Sequence, residues 1–237
     1  MTNPEKGDYS MWRGMFGHAD RGLVRGGTLG TNQRHRKGVT MTGRERILHL
    51  LRGPVAARIR FTFPGAGGTV TISPVSFRHV ANHIESGHIS IVFTNALPAG
   101  VGGQYISGTP NQLMVQPIIG RVEEGLILHE CTHAVFDVTR TPVVANDDEA
   151  ASYVVDALYF RMTGLRHPRW NVISHARAGQ VADLLLKQYA EGTHGIPAVD
   201  PTAWTVLKAT VMFRPNYRFG PAGLLGTLLG SQYPHDG

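Results

Sequence analysis

The chain has 237 residues, 42% of them apolar, which is enough for one domain with a buried core and an attached arm. No apolar run reaches the roughly 18 residues of a membrane-spanning helix, so we expect no membrane partner. Cys131 is the single cysteine, which excludes an internal disulfide and fits a reducing compartment. The N-terminal sequence MTNPEKGDYS lacks the basic and apolar regions of a signal peptide. We therefore expect a cytoplasmic protein, with non-standard export as the alternative.

The positive charge of the chain is concentrated in its first quarter. Residues 1–60 carry 12 Lys and Arg against 4 Asp and Glu, whereas the remainder carries 11 against 13. Such a segment could bind nucleic acid or another acidic surface. No nucleic-acid-binding motif supports that interpretation, and we favour a solvated, weakly ordered leader.

The predicted elements begin after a Gly- and Arg-rich stretch over residues 1–41. Thr42 and Glu45 form a capping-box pattern, which predicts a short helix that ends at residues 53–54. Alternating and helical apolar patterns then predict strands over residues 56–63, 69–73, 88–95, 104–107 and 112–119, with a helix over residues 76–86. Four more helices are predicted over residues 121–138, 147–163, 169–190 and 201–213.

The order of these elements predicts an α+β fold. We expect a small mixed or antiparallel sheet packed on the helix over residues 121–138, followed by a mainly helical C-terminal part. The chain is accordingly divided into a basic, Gly-rich arm with a short helix over residues 1–54 and a domain over residues 55–237.

The helix predicted over residues 121–138 carries an H-E-x-x-H sequence. His129 and His133 are one turn apart on one helical face, so both imidazoles can reach one zinc ion at about 2.0 to 2.1 Å. Glu130 lies about 100° around the helix, where it can touch a water held by the metal. The alternative is a pair of core histidines satisfied by hydrogen bonds. Cys131 points away from the metal face, and we expect a small buried apolar role for it.

A catalytic zinc ion takes three protein ligands and a water, so a third ligand is required. Thr139 stands where the third histidine of the metzincin pattern would be, which excludes that class. Asp137 is one turn after His133, but its short side chain would have to reach back along the helix. Glu149, at the start of the next helix, is the ligand we expect, and Asp148 is the fallback.

Capping offers another explanation for these acidic residues. Asn146 and Glu149 form a possible capping box. Asp147 and Asp148 suit the positive end of the helix dipole. Capping alone would therefore account for the whole acidic cluster without a metal ion.

With a glutamate on the helix after H-E-x-x-H, residues 55–165 resemble the gluzincin branch of the zincin metallopeptidases. That branch often has E-x-x-S/A-D at the glutamate. Here Ser152 matches, whereas Tyr153 stands where the pattern has the aspartate that orients the first histidine. Asp156, two turns along from Glu149, could orient it instead. The resemblance implies a zincin-like fold and zinc-dependent hydrolysis of peptide bonds, with one Zn²⁺ per chain.

The residues allow the chemistry to be written independently. Zinc lowers the pKa of its bound water and polarises a carbonyl. Glu130 then takes the proton of that water as general base and passes it to the leaving amine. His175, Tyr153 and Tyr217 are candidates for a further donor to the oxyanion. For each of these three, a structural or exposed role is the alternative that we favour.

We expect a peptide or protein substrate, bound as an extended strand along the sheet edge. The resemblance places that edge at residues 103–107, where Gly103 and the preceding Gly102 would permit a close approach of the backbone. The alternative is a plain Gly-rich loop. Three alternatives remain. The chain could be a non-catalytic zincin-like or basic binding module, a toxin- or effector-type protease domain, or a metal hydrolase that acts on something other than peptides.

Overall fold

The structure is a computed structural model, and it describes residues 41–97, 102–117, 119–167, 169, 172–192 and 195–212. The predicted arm up to residue 40 and the candidate Tyr217 lie outside the described residues. The described elements are α1 Gly43–Arg52, a 3₁₀ turn Ala56–Arg58, β1 Phe61–Gly65, β2 Gly68–Ile72, α2 Pro74–Glu85, β3 Ile89–Phe93, β4 Gly103–Ile106, β5 Asn111–Val115, α3 Arg121–Val138, α4 Ala145–Thr163, α5 Ile173–Ala190 and α6 Pro201–Met212.

Six helices and two small sheets in this part of the chain confirm the α+β class. The helix that carries H-E-x-x-H has the predicted bounds. The first predicted strand is wrong over residues 56–60, because residues 56–58 form a 3₁₀ turn that follows Val55 in α-helical dihedral angles and β1 begins only at Phe61. The backbone bond from Arg58 N to Val55 O, 2.9 Å long, closes that turn. None of the described helices has both the length and the apolar content needed to cross a membrane.

The short helix α1 begins at the predicted capping box. Thr42 Oγ1 accepts from Glu45 N at 3.2 Å, and Glu45 Oε2 accepts from Thr42 N at 2.7 Å. The apolar face of α1 is buried against α2 and α3. Arg46 also donates two hydrogen bonds to Glu124 of α3, of 3.1 and 2.8 Å. The compact unit that contains the predicted domain begins at Thr40, so this unit includes α1.

Two sheets are present among the described strands. β1 and β2 form an antiparallel hairpin. The other sheet has the order β3-β5-β4, in which β3 is parallel and β4 antiparallel to the central strand β5. This sheet is therefore mixed, and β4 is an edge strand that lies against α3.

The core is centred on α3 and α4, which pack against each other. Both helices bury residues on nearly all sides, as expected for helices enclosed by other elements. On the other side of α4 lie α5 and α6. Trp204 of α6 packs on Phe63 of the hairpin with ring centroids 4.8 Å apart, and Phe63 also meets Phe136 of α3 edge to face. The hairpin and α6 therefore close the core around the two central helices.

We predict that Thr42→Ala lowers the free energy of unfolding by about 1 kcal/mol, because the first turn of α1 loses its side-chain cap. Urea denaturation measures the change. The control is Thr205→Ala, since that exposed hydroxyl bonds only to Pro201 O within α6. It should change stability by less than about 0.5 kcal/mol. Equal losses in the two variants would contradict the prediction.

Candidate metal centre

The two histidines of α3 face the start of α4. The ring centroids of His129 and His133 are 5.1 Å apart, with the ring planes at 74°. Glu149, in the first turns of α4, has Oε2 3.5 Å from His129 Nε2 and Oε1 3.9 Å from His133 Nε2. The structure thus brings together the three residues that the sequence analysis selected as ligands.

The spacing of these atoms fits one metal ion. One ligand atom from each of the three residues lies within 4.8 Å of the other two. Two ligands of a tetrahedral zinc ion, each about 2.0 to 2.1 Å from it, lie about 3.4 Å from each other. The separations of 3.5 and 3.9 Å are close to that value. A zinc ion could therefore be held by small side-chain adjustments, without a movement of either helix.

Asp148 occupies the other nitrogen of the second histidine. His133 Nδ1 lies 2.7 Å from Asp148 Oδ1 and 3.4 Å from Ser152 Oγ. Because the carboxylate accepts from Nδ1, Nε2 is the nitrogen that faces Glu149. Metal-ligating histidines are commonly oriented in this way by a carboxylate on the opposite nitrogen. Asp148 therefore orients His133, and its expected role as fallback ligand is wrong in this arrangement.

The three consecutive acidic residues at the start of α4 contact different partners. Asp147 Oδ1 accepts from Trp204 Nε1 at 3.0 Å and from Lys208 Nζ at 2.8 Å, both on α6. Successive helical side chains diverge by about 100°, so Asp147, Asp148 and Glu149 point in different directions. The N-cap is Val144, which makes no side-chain cap. The proposed Asn146–Glu149 capping box is therefore not formed, because α4 begins before Asn146.

Asp137, the weakest ligand candidate, is turned away from the histidines. Its Oδ2 accepts from the Tyr105 hydroxyl and from Asn111 Nδ2, the latter at 2.7 Å. Both donors belong to the three-stranded sheet. Asp137 therefore ties α3 to the sheet.

The site has a strongly negative potential. Burial lowers the pKa of His133, but the carboxylates of Asp148, Glu149 and Glu130 outweigh it and raise that pKa to about 10. Burial also lowers the pKa of His129, and Glu149 followed by Glu130 again produces a net rise. Carboxylates that favour protons on the two rings also favour a divalent cation between them. Metal binding would displace those protons.

The side chain of Glu130 extends from α3 to the edge strand β4. Its Oε2 accepts from the backbone N–H of Tyr105 at 2.9 Å. A Cβ atom at Gly103 would lie 2.9 Å from Glu130 Cγ, and one at Gly102 would lie 2.1 Å from Leu126 Cδ1. The missing side chains at these two glycines make room for Glu130 and Leu126 of α3. In this structure the glycines therefore allow the strand to lie close to the helix.

Tyr153, one candidate oxyanion donor, packs against His129, and the other candidate, His175, packs against Tyr153. The Tyr153 ring is edge-on to His129 and to His175, with centroids 4.8 Å apart in both pairs. Both residues are only 4% exposed. Burial, followed by the neighbouring His167, lowers the pKa of His175 to about 3. Tyr153 therefore packs against His129 at the position where the gluzincin pattern has an aspartate.

A second group of possible ligands, Asp156, His167 and His175, is buried beside Tyr153. His167 Nδ1 accepts from Arg169 N at 2.9 Å, so its Nε2 carries the proton and donates to Asp156 Oδ2 at 2.8 Å. That separation is typical of a hydrogen bond. The group is therefore a hydrogen-bonded pair with a neutral histidine beside it. Asp156 is engaged with His167, in place of the expected role at His129.

Sequence reasoning missed two features of this site. Asp148 was assigned to ligation or capping, although an acid next to Glu149 could have indicated a partner for the second histidine. The contact between Tyr105 and Glu130 has no sequence signal, because it depends on how β4 packs on α3. Cys131 is fully buried, and burial raises the pKa of its thiol, in agreement with the expected apolar role.

Comparisons with known proteins place the chain in no family. No protein-family model, no curated protein and no solved structure matches it. The candidate metal centre is therefore supported by the geometry and chemistry of its own residues.

We predict that Asp148→Ala weakens zinc binding about 10- to 100-fold, because His133 loses the carboxylate that fixes its orientation. Competition with a chromophoric chelator measures the affinity. Asp183→Ala is the matched control, since it removes an exposed carboxylate paired with Arg161, a residue of α4 distant in sequence from Glu149. An affinity in Asp148→Ala equal to that of the control would show that Asp148 does not support the site.

Proposed function

We propose that this chain is a zinc-dependent peptidase of the gluzincin type, with a zincin-like fold. The observation that carries the proposal is the meeting of His129 Nε2, His133 Nε2 and the Glu149 carboxylate between two buried helices. Two neutral imidazoles and one carboxylate form a donor set of catalytic zinc. A purely structural zinc site would use four protein ligands. The donor set thus leaves one position for a water or a substrate.

The second support is the separation of roles along α3. The two ligating histidines face α4, whereas Glu130 faces β4. Zinc, when bound, would lower the pKa of a water and polarise the carbonyl of a substrate. Glu130 takes a proton from the attacking water and delivers it to the nitrogen of the leaving amine. One carboxylate oxygen of Glu130 is fixed by Tyr105 N, and the other is the oxygen that receives this proton.

The third support concerns the substrate. β4 is the edge of the three-stranded sheet and lies directly against the helix that carries Glu130. An extended peptide can add to such an edge through backbone hydrogen bonds. Ile106 of β4 is 39% exposed, so this strand presents an apolar side chain to solvent. Among the described strands, the position of this edge strand beside the proposed base favours a peptide or protein substrate over other hydrolysable molecules.

We predict that the purified chain holds one zinc ion and that the variant with His129→Ala and His133→Ala holds none. Elemental analysis after dialysis measures the stoichiometry. The matched control is the variant with His79→Ala and His83→Ala, which removes the same i, i+4 pair from α2. The control should retain the zinc ion. Zinc retained after removal of His129 and His133 would refute the metal centre.

We predict that Glu130→Gln retains zinc and loses hydrolytic activity by about 10²- to 10⁴-fold, because an amide cannot accept the proton. Digestion of an unbiased peptide library, read by mass spectrometry, supplies the rate and the cleavage preference. Glu123→Gln is the control, since that side chain accepts a bond from Gly120 N in the first turn of α3. Unchanged cleavage in Glu130→Gln would exclude Glu130 as the base. Zinc binding with no cleavage by the parent chain would favour a non-catalytic module.

A further inference from the structure

One tyrosine of the edge strand contacts α3 at two separate turns. The Tyr105 N–H donates to Glu130 Oε2 at 2.9 Å, and the Tyr105 hydroxyl donates to Asp137 Oδ2. Glu130 and Asp137 are seven residues apart, which places them on one side of α3 at a distance of about 10 Å along the axis. Tyr105 therefore spans two turns of the helix, with its backbone at one end and its hydroxyl at the other.

The hydroxyl end of this contact is firmly held. Asp137 is 2% exposed and also accepts from Asn111 Nδ2 of β5 at 2.7 Å. Asn111 Oδ1 in turn accepts from Gly108 N at 2.7 Å, in the turn between β4 and β5. Burial and the Asp137 carboxylate raise the pKa of Tyr105, so its hydroxyl stays protonated as a donor. Asp137 thus fixes both strands on α3.

The backbone end of the contact meets the proposed base. A glutamate has three side-chain torsions, and a hydrogen bond from a fixed N–H selects among its rotamers. Gly103, two residues before Tyr105, brings the strand close enough to touch Glu130 Cγ. The position of the Tyr105 N–H therefore determines where the Glu130 carboxylate lies.

We infer that Tyr105 is a positioning residue for Glu130, and that its hydroxyl, anchored on Asp137, keeps its own N–H in place against the Glu130 carboxylate. This inference rests on the proposed function, because Glu130 is the base in that proposal. A general base acts only when its oxygen is correctly placed relative to the water, so a small displacement of β4 reduces the rate. In this role Tyr105 acts on the reaction through Glu130.

We predict that Tyr105→Phe, which keeps the ring and the N–H, lowers kcat by on the order of tenfold, with little change in KM. Fluorescein-labelled casein is the hydrolysis probe, and elemental analysis should show unchanged zinc. NMR hydrogen exchange should show the residue 105 amide exchanging roughly tenfold faster in this variant. Exchange at the α3 amides should stay as in the parent chain.

Tyr159→Phe is the matched control. The Tyr159 hydroxyl donates to the carboxylate of Glu124, also on α3 and buried in part, but away from the sheet. The control should lose a similar amount of stability while keeping kcat and the exchange rate at residue 105. Asp137→Asn provides a second variant that breaks the charged end of the contact, in case Tyr105→Phe does not fold. It should show the same direction of change.

The exchange measurement separates this inference from the proposed function. If the parent chain cleaves neither casein nor any peptide of the unbiased library, the proposed peptidase fails. The exchange rates of Tyr105→Phe and of Glu130→Ala then still show whether Tyr105 N–H is held by Glu130 and by its own hydroxyl. Unchanged protection of residue 105 in Tyr105→Phe overturns the inference. Faster exchange accompanied by an unchanged kcat also overturns it, because the contact would then be structural only.

Discussion

The contact between the histidines of α3 and the acidic first turns of α4 is the constraint on which the site depends. Charged and polar side chains between two apolar helices destabilise a protein unless each has a partner. Here Asp148 bonds to Nδ1 of His133, and the Glu149 carboxylate lies 3.9 Å from Nε2 of His133 and 3.5 Å from Nε2 of His129. The same carboxylates raise the pKa of both rings, so the site favours positive charge. A divalent cation bound by these residues would supply this positive charge at one position.

The C-terminal helices contribute to the site by holding α4 in place. Asp147 receives bonds from Trp204 and Lys208 of α6, one residue before the carboxylate that orients the second histidine. Trp204 packs on Phe63, so the same indole that bonds to α4 also joins the β1–β2 hairpin. The first turn of α4 is therefore held by contacts with α3 on one side and with α6 on the other. These contacts give partners to the two buried acids, Asp147 and Asp148, at the start of α4.

The three-stranded sheet organises a different part of the same helix. Side chains one position apart on α3 diverge by about 100°, so Glu130 faces β4 while His129 faces α4. Asp137, two turns later than Glu130, receives the hydroxyl of Tyr105 and the amide of Asn111. The sheet is thus fixed to the face of α3 that presents the proposed base. In the proposed function, α4 would position the metal ligands of α3 and the sheet would position its general base, so each would be held by its own contacts.

The sequence by itself determined the bounds of α3, the capping box of α1 and the selection of His129, His133 and Glu149, which the structure places together. These features follow from residue spacing along one helix or from one residue type at a helix start. Only the tertiary structure decided that Asp148 bonds to His133 Nδ1 and that Asp156 pairs with a histidine from the loop before α5. Each of these acids has several potential partners at helical spacing. The packing angle and register between elements select one of them, and local sequence carries no information on that angle.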